Sequence, residues 1–480
     1  EDTRSLIHLR DDHQLENFDL LVAIIFQIRQ NSLRSDYKTS LSLIDEIFTL
    51  IDEQNENESY LALKGFIGHT IAITLAYMGK MADPRFKDQF MNARGIYNEL
   101  GLRQDLGQLE IEHLDVKYYY TEEGDLTQLN QATLHLLNNA NNEVEKSELG
   151  FRSAVFNLIQ FIHDNNNDNL IEAERRFVEY IDSAINDNYK VFWAKCGMMI
   201  ARHHQNKSVD KAFLNEIPPV GSISKAKGFP IIQFMVIRAW IIAEKDKKAK
   251  DLLFGVERRV MRLLEQFPDD LDYQMIILER FGMLLEEWIN YNIRFDNTSM
   301  VDTAIHVIHV NELLQNRLLL KDKFSLSISN DKLFNARDKI DKIIKCGKGL
   351  IYTTIKVKNS EGLYKQYALV FNGMSDDQIN IVELDTNDLN QLKLKFSNIF
   401  LTNSEKSMQD EILNNYGHIL NETLESLNLN DYVVVPNELF SLLPIHMSRL
   451  NGRYIYETKQ MNYLPNLTYF REKGDYYDID

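Results

Sequence analysis

The sequence predicts an α + α/β protein, in which a long region of stacked helix pairs precedes a smaller unit of strands and helices. Three observations predict this order. Helix pairs repeat at a nearly constant spacing through the first half of the chain. From about residue 346, short runs with alternating apolar residues indicate strands. The uninterrupted run "YVVVP" then indicates a strand that is buried on both faces.

Length and composition are typical of a soluble protein with two or three domains. The chain has 480 residues, of which 44% are hydrophobic and 26% are charged, so it contains ample material for a core. The richest apolar window, "FPIIQFMVIRAWIIA", is interrupted by Gln233 and Arg238, which favours a buried helix over a membrane span. The sequence starts at Glu1 without a methionine, and we expect the natural N-terminus to lie upstream.

The net charge of −18 argues against direct binding of nucleic acid, because phosphate contacts need clustered lysine and arginine. The basic run "EKDKKAK" is short and mixed in sign, and we interpret it as a solvated helix face. The two cysteines, Cys196 and Cys346, cannot form a disulfide framework and indicate a reducing compartment. We therefore expect a cytoplasmic protein.

The repeated unit consists of an aromatic-rich helix, a polar turn, and a second helix with a small residue about one turn in. These small residues are Ala93, Ala132, Ala173, Ala212 and Ala249, with spacings of 39, 41, 39 and 37. Because alanine lets two helices approach closely, we expect all five to be buried at helix crossings. The period indicates a solenoid of tetratricopeptide (TPR) type over residues 1–267, with "DYKTSLSLIDEIFTLID" as the second helix of a first, degenerate pair.

Residues 268–345 are predicted to form bridging helices, because the segments "LDYQMIILERFGMLLEEWINYNI" and "MVDTAIHVIHVNELLQNRLLL" are long and lack the short period. After "CGKG", the runs "GLIYTTIKV", "LYKQYALVF" and "INIVEL" predict a meander of three strands. The first of these is expected to place Ile351, Thr353, Ile355 and Val357 on one face. A helix from Met408 to Leu427 is then predicted to lead into a central strand at Val433–Val435.

Three of the chain's 8 prolines lie between residues 431 and 470. Pro436 is predicted to end the central strand, because proline cannot donate a ladder hydrogen bond. Pro444 fits the first turn of a short helix, "IHMSRL", and Pro465 has the same role before "NLTYF". The edge beyond such strand ends is where α/β sheets build their sites.

This segment resembles the CHAT family of caspase-like domains, which are related to separases and commonly joined to TPR arrays. The family pattern is a strand ending in "VP", then "LP" with a small helix, a strand pair and a "YLP" element. The matching residues are Pro436, Leu443, Pro444, the pair around Tyr454 to Glu457, Tyr463, Leu464 and Pro465. The resemblance implies that residues 346–480 are the N-terminal part of a CHAT α/β domain.

The resemblance also implies a cysteine endopeptidase with a Cys–His dyad. In the family the histidine lies in an "HG" strand end and the cysteine in a later "AC"-like strand end, both after the "YLP" element. No "HG" occurs in this sequence, Cys346 precedes the first strand, and Cys196 lies in a repeat helix. We therefore expect no catalytic residue within the chain and place the dyad beyond Asp480.

Three explanations of the missing dyad remain open. The C-terminal half of the domain is present but disordered, it has been cleaved into a second chain, or the natural protein lacks it. The first two are favoured, because half of an α/β sheet would expose an unpaired strand edge.

Two other groups of residues invite a chemical interpretation. His446, in "PIHM", follows a predicted strand, but the family uses that position for packing. Cys196 and His203 share a helical face in "CGMMIARHH", beside His204, but no second cluster completes four metal ligands. We therefore expect neither a metal nor another cofactor.

Two hypotheses of function follow. In the first, the protein is a TPR–CHAT caspase-like peptidase of prokaryotic defence, such as CRISPR type III-E or gasdermin activation. A protein activator docks on the array, a protein is the substrate, and no membrane is involved. In the second, the protein is a non-catalytic adaptor whose CHAT-like unit is a degenerate scaffold.

Overall fold

The fold is described from a computed structural model. It covers residues 17–34, 36–51, 57–80, 83–120, 126–140, 142–183, 188–215, 218, 221–226, 229–267, 270–295, 299–321, 336–358, 364–384, 414–437, 445, 448–450 and 453–464. The chain is mostly helical, and its strands lie in the C-terminal part. It divides into two compact units, Glu1–Phe281 and Gly282–Asp480.

The first unit is built from helices. They are α1 (Asn17–Arg34), α2 (Tyr37–Leu50), α3 (Glu58–Tyr77), α4 (Pro84–Glu99), α5 (Arg103–Tyr120), α6 (Leu126–Asn138), α7 (Glu143–Asp164), α8 (Asn167–Asp182), α9 (Asn188–His204), α10 (Ser222–Ala226), α11 (Pro230–Ile242), α12 (Asp246–Leu264) and the first part of α13 (Leu271–Phe295). Short polar side chains fix several of the helix starts. Asp36, Asn57, Asp83, Asn142 and Asn166 each accept a hydrogen bond from a first-turn amide that has no partner within its helix.

Consecutive helices pack in pairs, and neighbouring pairs stack. Helix α1 packs against α2, α3 against α4, α5 against α6, α7 against α8, and α11 against α12. Contacts also run along the stack between every second helix: α1 contacts α3, α3 contacts α5, and α9 contacts α11. Each pair therefore packs against its neighbours in the chain.

The five alanines test the predicted repeat spacing. Ala93, Ala173 and Ala249 are fully buried, which confirms the prediction at three of the five positions. Ala132 is only half-buried. At Ala212 the prediction is wrong: this residue is exposed and begins a single 3₁₀ turn, Ala212–Leu214, instead of a helix. Pro218 and Pro219 follow within seven residues, and a helix cannot extend through the residue before a proline without strain.

The first unit closes on itself. The backbone amide of Tyr37 donates to Gln266 Oε1 at 3.0 Å, and Arg280 Nη1 donates to the Tyr37 hydroxyl at 2.6 Å. Lys80 Nζ forms an ion pair with Asp270 Oδ2 at 3.1 Å. Ile276 joins the apolar core of the first helix pairs. Gln266 and residues 270–280 therefore return to the beginning of the array and close it.

Within the described ranges, α3 is the one helix long and apolar enough to span a membrane. Some 78% of its most apolar window is buried by neighbouring helices, as in the core of a soluble protein. Helix α11, which contains the window "PIIQFMVIRAWII", is shorter and also buried. Gln233 and Arg238, the two polar residues that interrupt this apolar window, are also buried.

The second unit combines helices with a mixed sheet. Its elements are the rest of α13, α14 (Met300–Lys321), α15 (Ala336–Lys345), β1 (Gly349–Thr353), β2 (Val357–Lys358), β3 (Tyr364–Phe371), β4 (Ile379–Leu384), α16 (Asn421–Glu425), β5 (Asp431–Val435), β6 (Arg449–Leu450), β7 (Arg453–Tyr454) and β8 (Gln460–Tyr463). Single 3₁₀ turns lie at Asp376–Gln378 and Ile455–Glu457.

Strand β5 lies between β1 and β8 and is parallel to both. Strand β1 pairs antiparallel with β3, which also pairs with β2 and β4. Val433, Val434 and Val435 are at most 2% exposed. The prediction of a central strand at these residues is therefore confirmed.

Helices cover both faces of the sheet at its centre. On one face, Ile351 and Val434 share an apolar cluster with Tyr416, Leu420 and Leu424 from the segment before β5. On the other face, Tyr352 contacts α14. Both faces of β1 are therefore covered, and residues 349–355 are all buried.

Two other predicted elements differ in the structure. The helix predicted from Met408 to Leu427 is described from residue 414 onward, where residues 414–419 and α16 are separate helical segments. The predicted helix "IHMSRL" is wrong at Arg449–Leu450, which form β6 and pair with β7. Asn451 and Gly452 separate these strands, and Asn-Gly strongly favours a tight hairpin over a helix.

Candidate functional site

A cavity of about 530 Å³, open to solvent, lies within the first unit. Its described lining comes from the first helices of the five pairs (α1, α3, α5, α7 and α11), from α9, from Phe229 directly before α11, and from Arg280 of the closing segment. The second helices of the pairs are not part of this lining. The repeated architecture therefore directs one helix of every pair at a common interior space.

Basic side chains outnumber acidic ones in the described lining, although the whole chain carries a net charge of −18. Four cationic side chains and two carboxylates line the cavity: Arg29, Arg152, Lys190 and Arg280, with Glu112 and Glu148. Arg29 Nε donates to the hydroxyl of Thr70 at 3.1 Å, and its guanidinium lies 4.2 Å from the ring centroid of Phe66. The cavity is thus a local region of positive charge in an acidic protein.

The two carboxylates of the lining both have partners. Glu148 accepts a hydrogen bond from Lys190 Nζ at 2.5 Å. Glu112 Oε2 lies 3.0 Å from Nε2 of His69, whose Nδ1 lies 3.3 Å from the Tyr97 hydroxyl. Burial alone would raise the pKa of Glu112, but the hydrogen bond and charge of His69, together with Arg152, lower it to about 2. Glu112 is therefore a fixed negative charge at neutral pH.

Aromatic side chains from α9 and the start of α11 form a second part of the lining. The ring of Tyr189 lies 5.1 Å from that of Trp193, which lies 6.4 Å from that of Phe229, and both pairs are edge-on. The indole Nε1 of Trp193 donates to the carbonyl oxygen of Ser222 at 3.1 Å, which fixes the orientation of the ring. Phe229 is 38% exposed, so part of this aromatic surface is accessible.

The second candidate site is the edge of the sheet at the carboxyl ends of β1, β5 and β8. Pro436 directly follows β5, Tyr463 is the last residue of β8, and Leu464 follows it. The amide of Leu464 donates to the carbonyl oxygen of Val434 at 2.8 Å, which joins the two strand ends. These three predicted motif residues therefore lie along one edge. Leu443, Pro444, His446 and Pro465 lie outside the described residues.

A buried polar network lies behind this edge. The backbone amide of Asn437 donates to Thr353 Oγ1 at 2.7 Å, and the Asn437 side chain donates to the Thr353 carbonyl oxygen. Gln366 Nε2 donates to the carbonyl oxygen of Thr354 at 2.7 Å. The chain leaving β1 is thereby tied to the chain leaving β5.

A second part of the network connects β1 to α14. The hydroxyl of Tyr352 donates to Glu312 Oε1 at 2.8 Å and accepts from Asn311 Nδ2 at 2.7 Å, while Asn311 Oδ1 accepts from the amide of Ile355 at 2.8 Å. Burial, and then the charge of Glu312, raise the pKa of Tyr352 well above its usual value. Tyr352 is fully buried and Glu312 is 3% exposed. These groups can position the edge, but they cannot touch a substrate.

The surroundings of Cys196 are not those of a nucleophile. Cys196 is fully buried, and burial raises the pKa of its thiol far above the usual range, which opposes thiolate formation. Cys346 is exposed and follows the end of α15. The two cysteines are the only ones in the sequence.

The residues considered for a metal site, Cys196, His203 and His204, have different surroundings. His203 is exposed, whereas Cys196 is buried. The ring of His204 packs 5.1 Å from Phe161, and burial, with the nearby charges of Arg238 and His203, lowers its pKa to about 4. In the part of the chain that the structure describes, no three His, Cys, Asp or Glu side chains are grouped to hold a metal.

Sequence reasoning missed the cavity and most of the polar network. A weak signal existed for the network, because Asn311 and Glu312 interrupt the apolar pattern of α14 and Asn437 directly follows the predicted strand end. No local signal existed for the cavity, since its lining residues come from helices more than 200 positions apart.

Comparison of the chain with known proteins found no match, either among models of protein families or among curated protein sequences.

Proposed function

We propose that the protein is the TPR–CHAT part of a caspase-like cysteine peptidase that a protein partner activates. In this proposal the helix pairs of the first unit are TPR-type units that dock the activator, and the sheet of the second unit is the front part of the peptidase domain. Its setting is the cytoplasm, in a prokaryotic defence pathway such as CRISPR type III-E or gasdermin activation.

The observation that carries the proposal is the position of the motif residues at the sheet edge. Pro436, Tyr463 and Leu464 stand at the carboxyl ends of two adjacent parallel strands. In α/β sheets, reactive groups are held at this edge, because side chains from several strand ends converge there. The network of Thr353 and Asn437 makes the edge rigid, as positioned catalysis requires.

The dyad itself is assigned to polypeptide beyond Asp480. A thiol nucleophile needs an adjacent base and access to its substrate. Cys196 lacks access, and Cys346 lies before β1, at the opposite end of that strand from the motif edge. Neither therefore serves as the nucleophile in this proposal.

The test is a peptidase assay on the full-length protein, with and without the products of neighbouring genes and with a thiol alkylator as a control. We expect alkylator-sensitive cleavage that depends on a partner. Changing Cys196 and Cys346 together to Ser should leave this activity unchanged. Loss of activity with Cys346→Ser alone, in a variant that melts like the wild type, would place the nucleophile at Cys346 and refute the assignment.

A non-catalytic adaptor is the second candidate, and the surroundings of the two cysteines favour it. If the full-length protein contains no further cysteine and histidine after Asp480, the adaptor proposal replaces the peptidase. The same replacement follows if the full-length protein is inert with every co-encoded partner yet still binds one of them in a pull-down.

A further inference from the structure

The closure of the first unit limits what its interior can hold. Contacts of Tyr37 with Gln266 and Arg280 join the end of the array to its beginning. The cavity of about 530 Å³ falls within the range of roughly 300–1,000 Å³ that is typical of small-molecule sites. A folded partner is too large for this space, so we assign the interior and the docking of an activator to different surfaces.

One part of the lining suits a phosphate group. Arg29 lies on α1, and the hydroxyls of Ser32, Thr70 and Thr74 lie beside it on α1 and α3. Ser32 Oγ is 3.2 Å from Thr74 Oγ1, and Arg29 Nε reaches Thr70 Oγ1 at 3.1 Å. Guanidinium groups and hydroxyls are the side chains that bind phosphate oxygens best, because both offer directed donors.

Another part of the lining suits a planar ring. Tyr189 of α9 is half-buried and Phe229, directly before α11, is 38% exposed, whereas the ring of Trp193 between them is only 3% exposed. Stacking on such side chains stabilises a nucleobase in a way that tolerates different bases. The cavity therefore combines donors for an anion with aromatic surface for a ring.

We propose that this cavity binds a mononucleotide, with its phosphate toward Arg29 and its base against Tyr189 and Phe229, beside the buried ring of Trp193. Inorganic phosphate alone would leave the aromatic surface unused, and an acidic peptide would leave it without a stacking partner. The net charge of −18 still disfavours a nucleic-acid polymer, because phosphate contacts along a polymer need clustered lysine and arginine. The proposal does not depend on peptidase activity.

The experiment measures direct binding to the full-length protein by calorimetry, with tryptophan fluorescence as a second readout. The probes are AMP, GMP, CMP and UMP, with their triphosphates, and inorganic phosphate and adenosine serve as half-ligands. We expect at least one nucleotide to bind saturably and to quench the fluorescence of Trp193, and each half-ligand to bind at least tenfold more weakly.

Matched variants locate the site. Arg29→Gln should weaken nucleotide binding at least tenfold, whereas Arg175→Gln, at a half-exposed position on α8 outside the lining, should not change it. Trp193→Phe should abolish the fluorescence change while calorimetry still detects binding. Melting curves establish that each variant is folded.

Three outcomes would overturn the proposal: no binding of any nucleotide at millimolar concentration, binding that Arg29→Gln leaves unchanged, or saturable binding of a short glutamate peptide in place of nucleotides. Because these measurements need no cleavage, a failed peptidase assay leaves the binding result intact. Likewise, a failed binding experiment leaves the peptidase proposal intact.

Discussion

At the scale of single residues, small side chains allow neighbouring helices to pack closely. Ala173 is fully buried on α8, and Gly197 on α9 faces Phe177 of α8 so closely that an added methyl group would overlap its ring. Neighbouring helices therefore approach with no room for larger side chains. This close approach is what the regular alanine spacing predicted.

Ala173→Leu should destabilise the first unit by about 1–3 kcal/mol, because three extra heavy atoms enter a filled helix crossing. Ala212→Leu is the matched control, since Ala212 is exposed, and it should change the free energy of unfolding by less than about 0.5 kcal/mol. Urea unfolding followed by circular dichroism measures both. If the two substitutions lower the free energy of unfolding equally, burial at the helix crossings does not determine the cost of a larger side chain.

Glu112 should make stability depend on pH in the acidic range. Its pKa is lowered from 4.5 to about 2, so the folded state holds the ionised form more tightly than the unfolded chain does. The resulting stabilisation, up to about 3 kcal/mol, is present above pH 4.5 and is lost as the pH falls toward 2.

Glu112→Gln should therefore lower the free energy of unfolding at pH 7, and its difference from the wild type should shrink between pH 4.5 and pH 3. Glu99→Gln, at an exposed position on α4, is the control and should show little difference at any pH. The measurement is urea unfolding at a series of pH values. A difference that stays constant down to pH 3 would contradict the ionic role of Glu112.

At the scale of elements, the sequence predicted most helices and strands because their signals are local. Asp36, Asp83 and Asn166 mark helix starts by side-chain chemistry that acts over two or three residues. The errors arose where a local pattern was ambiguous. The segment "IHMSRL" contains apolar residues at helical spacing, and the Asn-Gly pair after it was the stronger signal.

Other features of the elements depend on partners that are distant in sequence. Strand β1 alternates as a half-buried strand would, yet both of its faces are covered, one by α14 and one by the segment before β5. Its second cover lies more than 60 residues further along the chain. No local pattern in "GLIYTTIKV" encodes that contact, so the sequence predicted the strand but not what packs on each of its faces.

Val434→Asp should unfold the sheet, because it places an unpaired carboxylate in a fully buried position between two strands. We expect a loss of more than about 4 kcal/mol. Amide hydrogen exchange at β1, β5 and β8 measures the loss of protection. The control is Tyr456→Asp, at a position that is 56% exposed, which should keep the protection of the sheet. Retained protection in Val434→Asp would contradict the central position of β5.

At the scale of the whole molecule, the most consequential feature is the closure of the first unit by Gln266 and residues 270–280. These residues meet partners 190 to 243 positions earlier, through Lys80 with Asp270 and Tyr37 with Arg280. Repeat periodicity describes contacts between neighbouring pairs only, so it predicted stacked helix pairs but not the contact between the two ends of the array. Arg280 of the closing segment is part of the cavity lining, which the periodicity could not predict.

Gly79 provides a test of the closure. Its φ is +72°, a conformation that other residues adopt with strain, and a Cβ added there would overlap the side chain of Ile276 on α13. Gly101 has a φ of +66°, but an added Cβ would meet nothing within 4 Å. Alanine at either position therefore carries a similar backbone cost, and only alanine at Gly79 also disturbs the closing segment.

Gly79→Ala should destabilise the first unit by about 1 kcal/mol more than Gly101→Ala does, because the end of the Ile276 side chain must shift within the core. Amide hydrogen exchange should show faster exchange at residues 271–281 in Gly79→Ala alone, since the disturbed contact lies there. If both variants exchange alike in this segment, Ile276 is not part of what closes the array. If only Gly79→Ala also weakens nucleotide binding, the closure and the cavity depend on each other, because Arg280 reaches the lining only while α13 stays docked.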